Sequence, residues 1–329
     1  MPNGNFEDSG MYFPIADIEI SPWIPPLVAF VISFFTSMGG VSGAFLILPF
    51  QVSVLGFSTP AVSATNQLFN IVSIPSGVYR YIKEGRMVWP LTWAVIIGTL
   101  PGVIIGAILR IQYLPNPKNF KAFAGLVLLY IAGRLIKDLL GKKQSNGHQM
   151  PAEEQFHKTV KKYYESNESD NASGQRQIPR IIVKKFDVSR IIYEFHGQMF
   201  DISVMGIMLL SFSVGIIGGI YGIGGGAIIA PFFVSFFGLP VYTVAGAALM
   251  GTCITSIVGV LFYQAIAPFY PEMAVAPDWA LGFLFGLGGF AGMYCGASVQ
   301  KFVPARLIKL TLVFCILFPA IDYILAFFR

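Results

Sequence analysis

Two apolar stretches, 27–55 and 202–237, are longer than the ~20 residues with which a helix crosses ~30 Å of hydrocarbon, and each is broken by glycine. The first break reads Met38-Gly39-Gly40-Val41-Ser42-Gly43 and the second Gly218-Gly219-Ile220-Tyr221-Gly222-Ile223-Gly224-Gly225-Gly226. Backbone amides and carbonyls released inside a bilayer must be satisfied by protein or by a water-filled cavity. A chain with two such breaks is therefore restricted to a polytopic bundle that encloses both. The other apolar runs, 61–79, 89–109, 120–136, 241–267, 279–299 and 307–328, are each near the length of one span. With 55% hydrophobic and 12% charged residues and a mean hydropathy of +0.67, a water-soluble enzyme is excluded, because a single soluble core cannot hide so much apolar surface.

The two breaks belong to a longer internal match. A shift of 182 residues sets Gly40, Gly43, Pro49, Gly56 and Gly77 on Gly222, Gly225, Pro231, Gly238 and Gly259, and a shift of 190 then sets Trp89, Gly98, Gly102 and Gly106 on Trp279, Gly288, Gly292 and Gly296. The chain reads as two copies of one unit, a first membrane repeat at 21–140 and a second at 201–329. Loop charge bears on their relative orientation. Loop 80–86 carries three basic residues, whereas its counterpart 263–278 carries none and has Glu272 and Asp278. Equivalent loops then lie on opposite sides, which requires an odd number of crossings per copy. The expected fold is all-α and integral to the membrane: two inverted helical repeats, each a re-entrant segment of two short pieces plus three spanning helices. Loop 300–309 and the linker fall inside and the termini outside; Arg110, Lys118 and Lys121 run against this assignment.

The linker at 141–200 is polar and cytoplasmic on this reading, and alternation across 184–202 suits either a β-hairpin or a loop ordered only against the membrane part. Much of the Lys and Arg content lies here, interleaved with acids, which describes a solvated segment and not a nucleic-acid surface. All three His residues (His148, His157, His196) also lie here, so the spans have no imidazole for a metal site, and no cofactor is expected. Cys253, Cys295 and Cys315 have no CxxC spacing and read as packed free thiols, with a redox role as the lesser alternative. The first twenty residues are acidic without Lys or Arg, unlike the start of a secretory signal.

Glycine-interrupted segments at corresponding places in two repeats point to a transporter's binding site. The spans hold no central Lys, Arg, Glu or His, so a cationic substrate lacks the buried carboxylate it needs. An anion needs no side-chain charge where a helix N-terminus offers free amides and a favourable dipole. Half-helices are expected to start near Ala44 and Ala227, with Ser42 and the free amides of Gly43 and Gly225 as donors. Thr65, Asn66, Gln67 and Asn70, and in the second copy Thr252, Thr255 and Ser256, are polar cargo for a span and should face inward, as substrate contacts or as interhelical glue. The candidate substrate-binding set is Gly39, Gly40, Ser42, Gly43, Asn66, Gln67, Tyr221, Gly222, Gly224, Gly225, Gly226, Thr252 and Thr255. Tyr79, Tyr221 and Tyr263 suit gating or packing. The series Gly98, Gly102, Gly106 and Gly288, Gly292, Gly296 has small-xxx-small spacing and reads as close helix packing. Asp322, near the C-terminal end, reads as an interfacial acid.

The segment Gly-Gly-Val-Ser-Gly-Ala-Phe-Leu-Ile-Leu-Pro-Phe at 39–50, its partner at 222–232, the Ala-Thr-Asn of 64–66 followed by Gly77, and the paired Trp89 and Trp279 resemble the TauE/SafE sulfite exporter (TSUP) family. The resemblance implies a transporter of sulfite, organosulfonates such as sulfoacetate, or related small sulfur-containing anions, without a cofactor, in a cell membrane. The alternatives are a permease for a cation or another small solute, and a regulatory membrane protein acting through its linker.

Overall fold

The computed structural model describes residues 10–140 and 181–328, apart from His196 and Ala227; the linker from 141 to 180 lies outside the described residues. The first half contains α1 (Ile24–Met38), α2 (Ala44–Pro49) running on into a π turn (Phe50–Val54), α3 (Ala61–Lys83), α4 (Trp89–Tyr113) and α5 (Pro117–Leu140). The second contains α6 (Val204–Tyr221), α7 (Ile229–Phe237), α8 (Val241–Ile266), α9 (Trp279–Val299) and α10 (Ala305–Phe328). Both glycine breaks interrupt helices, between α1 and α2 and between α6 and α7.

Among the described residues six helices are long and apolar enough to cross a membrane: α4, α5, α6, α8, α9 and α10. Two details depart from the expected division. Helix α3 is not among the six although it has 23 residues, because Thr65, Asn66, Gln67 and Asn70 lower its hydropathy. Helix α6, expected as a short half, is 18 residues long; it continues directly from a strand, and Ser203 caps it by accepting from the Gly206 amide at 3.3 Å.

Glycines decide which helices touch. A Cβ on Gly98 would lie 2.9 Å from the Met208 carbonyl oxygen, one on Gly102 would lie 2.5 Å from that of Phe212, and one on Gly106 would strike that of Ile216. The matching series Gly288, Gly292 and Gly296 meets the carbonyls of Pro26, Phe30 and Phe34. Backbone approaches backbone in both places, as small residues allow in the absence of a hydrophobic drive between helices in lipid. Pro26, Phe30 and Phe34 stand 182 residues before Met208, Phe212 and Ile216, so the offsets read from the sequence relate the α1–α9 contact to the α6–α4 contact residue by residue.

The ends of the molecule are distinct. Ala61, opening α3, donates its amide to the Ala274 carbonyl at 3.0 Å, beyond the C-terminus of α8. At the other end, Gly246 near the start of α8 abuts Tyr81 and Met87 near the end of α3. The corresponding helices α3 and α8 therefore run in opposite directions. A two-stranded hairpin, β1 (Met11–Phe13) with β2 (Ile18–Ile20), marks the first end, where the Ala16 amide donates to Asp278 Oδ2 at 3.3 Å and Asp278 Oδ1 caps α9 by accepting from the Leu281 amide at 3.0 Å. A three-stranded antiparallel sheet marks the second end.

That sheet, β3 (Ile182–Phe186), β4 (Arg190–Phe195) and β5 (Gln198–Ser203), extends the expected hairpin by one strand. Ile191, Tyr193 and Phe195 alternate onto one buried face, and the Tyr193 hydroxyl meets Thr243 Oγ1 at 2.9 Å in the first turn of α8. Trp89 and Trp279, each the first residue of its helix, are about half exposed, as amphipathic rings are at a membrane interface.

Candidate functional site

Each break presses against the opening turns of a helix from the other half. A Cβ on Gly40, at φ 68°, would lie 2.7 Å from Ala245 Cα, and Gly222, at φ 77°, lies directly on Ser63. Residues 63 and 245 are again 182 apart. Both glycines combine left-handed backbone with a contact that excludes any Cβ, so neither position accepts another residue without strain.

Between the breaks, two asparagines of α3 join them. Asn66 Nδ2 donates to the Ala44 carbonyl at 2.9 Å and to the Gly222 carbonyl at 3.2 Å. One turn on, Asn70 Nδ2 donates to the Ile223 carbonyl at 2.9 Å and to Ser256 Oγ at 3.2 Å, while its Oδ1 accepts a short bond from Ser42 Oγ. Ser42 Oγ in turn accepts from the Ala44 amide at 3.1 Å, which turns the chain into α2. The Tyr221 hydroxyl, on the last residue of α6, donates to the Phe45 carbonyl at 3.1 Å. The two stretches, distant in sequence, therefore form one bonded unit.

Helix α8 closes the other side. The Gly225 amide donates to Thr255 Oγ1 at 3.0 Å, Gly224 sits against Ser256 and Thr252, and Gly226 lies on the Ala248 carbonyl with Thr252 alongside. The Gly225 amide, expected free, is thus engaged, and the second half-helix starts at Ile229, beyond Ala227. Thr252 Oγ1 donates to the Ala248 carbonyl at 2.8 Å, within its own helix. Gly39 closes α1, its amide bonding back to the Thr36 carbonyl at 2.9 Å, and the Gly43 carbonyl accepts from Leu46 and Ile47 at 3.0 Å in the first turn of α2. The polar residues expected to face inward, Thr65, Asn66, Gln67, Asn70, Thr252, Thr255 and Ser256, are all fully buried. Tyr79 is 57% exposed and takes no part; Tyr221 and Tyr263 are buried.

Several polar atoms around this unit are buried without a hydrogen-bond partner: Asn66 Oδ1, both amide atoms of Gln67, and the hydroxyls of Ser63 and Ser73. On α3 the residues Ser63, Asn66, Gln67, Asn70 and Ser73 recur at spacings of three and four, so they form one polar stripe. That period identifies Ser63 and Ser73, which counting polar residues in the span leaves out. Unpaired buried donors and acceptors are costly alone and suited to a polar guest. Among the described residues no group of three or more His, Cys, Asp or Glu side chains is placed to hold a metal ion, and Cys253, Cys295 and Cys315 are free thiols.

A sequence profile of the family described as "Sulfite exporter TauE/SafE" matches residues 26–323. No curated protein and no solved structure matches the chain.

Proposed function

The chain belongs to the TauE/SafE sulfite exporter family, and on that premise we propose that this multi-pass membrane protein carries sulfite, an organosulfonate or a related small sulfur-containing anion across the cell membrane by alternating access. The observation that carries the reading is the joining of the two breaks through Asn66 and Asn70. Around that junction no charged side chain is needed to hold the unit together, and the amides and hydroxyls of Gln67, Ser63 and Ser73 stand ready to donate. A small oxyanion fits the donors of this neutral set, and among the residues that join the breaks no carboxylate stands to pair with a cation. The opposite courses of α3 and α8 support a pair of inverted repeats that rock about this point, opening one end and then the other.

Ser42, Asn66, Asn70, Gln67 and the backbone of 222–226 are the contacts assigned to the substrate, with Thr252 and Thr255 shaping the second break. Movement of an anion outward follows the membrane potential, worth about 2.3 kcal/mol per charge per 100 mV. The test is flux from proteoliposomes containing the purified protein, with sulfite, thiosulfate, sulfate, sulfoacetate and taurine compared. Sulfite or an organosulfonate is expected to move fastest. Absence of flux for every sulfur anion overturns the reading, and preference for sulfate overturns the substrate class.

A further inference from the structure

Arg110, in the last turn of α4, is fully buried with no carboxylate within ion-pair distance among the described residues. Its guanidinium lies 3.9 Å above the Phe120 ring, with one terminal nitrogen donating to the Leu114 carbonyl and the other to the Ser58 carbonyl at 3.2 Å. Nε is buried and has no partner. The buried acid at this end, Asp278, is occupied in capping α9 and in holding Ala16. A permanently charged fork sealed from water by carbonyls alone is an expensive arrangement, because burial removes far more hydration than neutral acceptors return.

The surroundings give that charge a direction. Tyr263 on α8 is close enough to interact with it electrostatically and neighbours Ser63, which lies on Gly222 at the break. On the other flank, the Phe120 ring packs against that of Tyr221, at 6.2 Å between centroids, and Tyr221 bonds to α2. Nε of Arg110 and the amide of Gln67 are buried and unpartnered, and the buried hydroxyls of Tyr263 and Ser63 lie beside each other, so polar groups lead from the guanidinium to the breaks.

The opposite end holds the counterpart with a different charge balance. The offsets set Tyr263 on Tyr81 and Arg110 on Gln300. There Arg86 Nη1 donates to Gln300 Oε1 at 2.8 Å, the guanidinium stands over the Tyr81 ring, and Glu84 neutralises it at 2.7 Å. Among the described residues, one end therefore carries a compensated arginine and the other an uncompensated one.

We propose that Arg110, with Tyr263, is a second anion-binding site at the hairpin end of the pathway, where a small oxyanion rests between the central breaks and the surface. The carbonyls of Leu114 and Ser58 occupy the guanidinium while that end is shut and are exchanged for the oxyanion when it opens. The inference rests on reading the pathway as an anion route, and it adds a residue that the breaks themselves do not supply.

Sulfite flux is measured in right-side-out and inside-out vesicles, which present the two ends separately. Arg110→Gln is expected to raise the apparent KM for sulfite offered to the hairpin end about tenfold or more, the value of one charge-assisted hydrogen bond, and to leave that at the sheet end within about twofold. Arg110→Lys, which keeps the charge and loses the fork, is expected to recover most of the loss. A purely structural tie at Leu114 and Ser58 predicts equal changes from both sides, and that result, or no change at all, overturns the site. Should Arg110→Gln not fold, Tyr263→Phe provides the same comparison. A wild-type protein without sulfite flux defeats the transport reading separately; sulfite then still raises the unfolding temperature of wild type and not of Arg110→Gln if the site is real, and equal stabilisation of both overturns it.

Discussion

Asn66→Ala removes the side chain that bonds to both breaks at once, and the two losses are unequal. Ala44 opens α2, so its carbonyl retains an intrahelical partner and the lost bond is worth about 0.5–1.5 kcal/mol. Gly222 lies past the end of α6, and among the described residues no backbone amide donates to its oxygen. That carbonyl bears the full penalty of a buried unpaired acceptor, about 1–3 kcal/mol, so the variant is expected to lose about 1.5–4.5 kcal/mol in all. Asn66→Asp keeps the shape but points carboxylate oxygens at both carbonyls, which adds repulsion and a buried charge. The expected order of stability is wild type, then Ala, then Asp, measured by equilibrium unfolding in mixed micelles of graded SDS content and followed by helical circular dichroism. Sulfite flux is expected to fall in the same order, the carboxylate also opposing the anion. An Ala variant within about 0.5 kcal/mol of wild type, the range of an ordinary surface change, refutes the role of Asn66 as the joint between the breaks; so does an Asp variant as stable as Ala.

The same unfolding assay tests the helix contacts. Gly102→Ala places its Cβ 2.5 Å from the Phe212 carbonyl oxygen and 2.9 Å from the Ile216 amide nitrogen, backbone atoms that cannot rotate aside, and Gly292→Ala does the same at the matching contact; each is expected to lose about 1–3 kcal/mol. Gly133→Ala, in α5 with nothing within 4 Å of the added carbon, is expected to gain up to about 1 kcal/mol from helix propensity. Thr243 Oγ1 gives its proton to the Pro240 carbonyl at 2.9 Å, so Tyr193 is the donor across the sheet contact, and burial raises its phenol well above the ordinary value and keeps it protonated; Tyr193→Phe is expected to cost about 0.5–1.5 kcal/mol. Asp187 is held below the ordinary carboxylate range by Lys185 first, then by the Ser189 hydroxyl and the amides of Arg190 and Ser189. Because the folded value is depressed, its support of the β3–β4 turn is present above the unfolded value of about 3.9 and is lost as pH falls through the lower folded value. Amide resonances of Ser189 and Arg190 are therefore expected to hold still from pH 7 to 5 and to move only below about pH 4, a transition that Asp187→Asn removes.

Periodicity and glycine spacing located most of the frame. The 182- and 190-residue offsets, read along the chain, reappear as equivalent contacts at Gly102 on Phe212 and Gly292 on Phe30, because a helix that presents glycine every fourth residue offers one smooth face to whichever backbone meets it. The junction of the two breaks was legible in outline through Ser42, Asn66 and the second glycine run. Its bonding was not: the Gly225 amide is used by Thr255, and Asn70 with Ser256 does as much joining as Asn66. Nothing in a one-dimensional pattern says which neighbour satisfies an amide at a helix break. Arg110 illustrates the same limit, since a basic residue near a helix end reads as a loop charge until Phe120, Ser58 and Leu114 are found around it.

Sequence alone determined that this chain is apolar along most of its length, carries glycine, proline and tryptophan at matching offsets, and is interrupted at matching points, because those are properties of residue type and spacing. Only the tertiary structure decided that α1 lies on α9 and α6 on α4, that α3 threads both breaks with two asparagines, and that, among the described residues, Arg110 is left without an acid while Arg86 at the opposite end has one. The physical reason is that spacing sets what a single helix presents on a face, whereas the partner of that face, and with it the charge and hydrogen bonds a buried group receives, follows from how all the helices pack together.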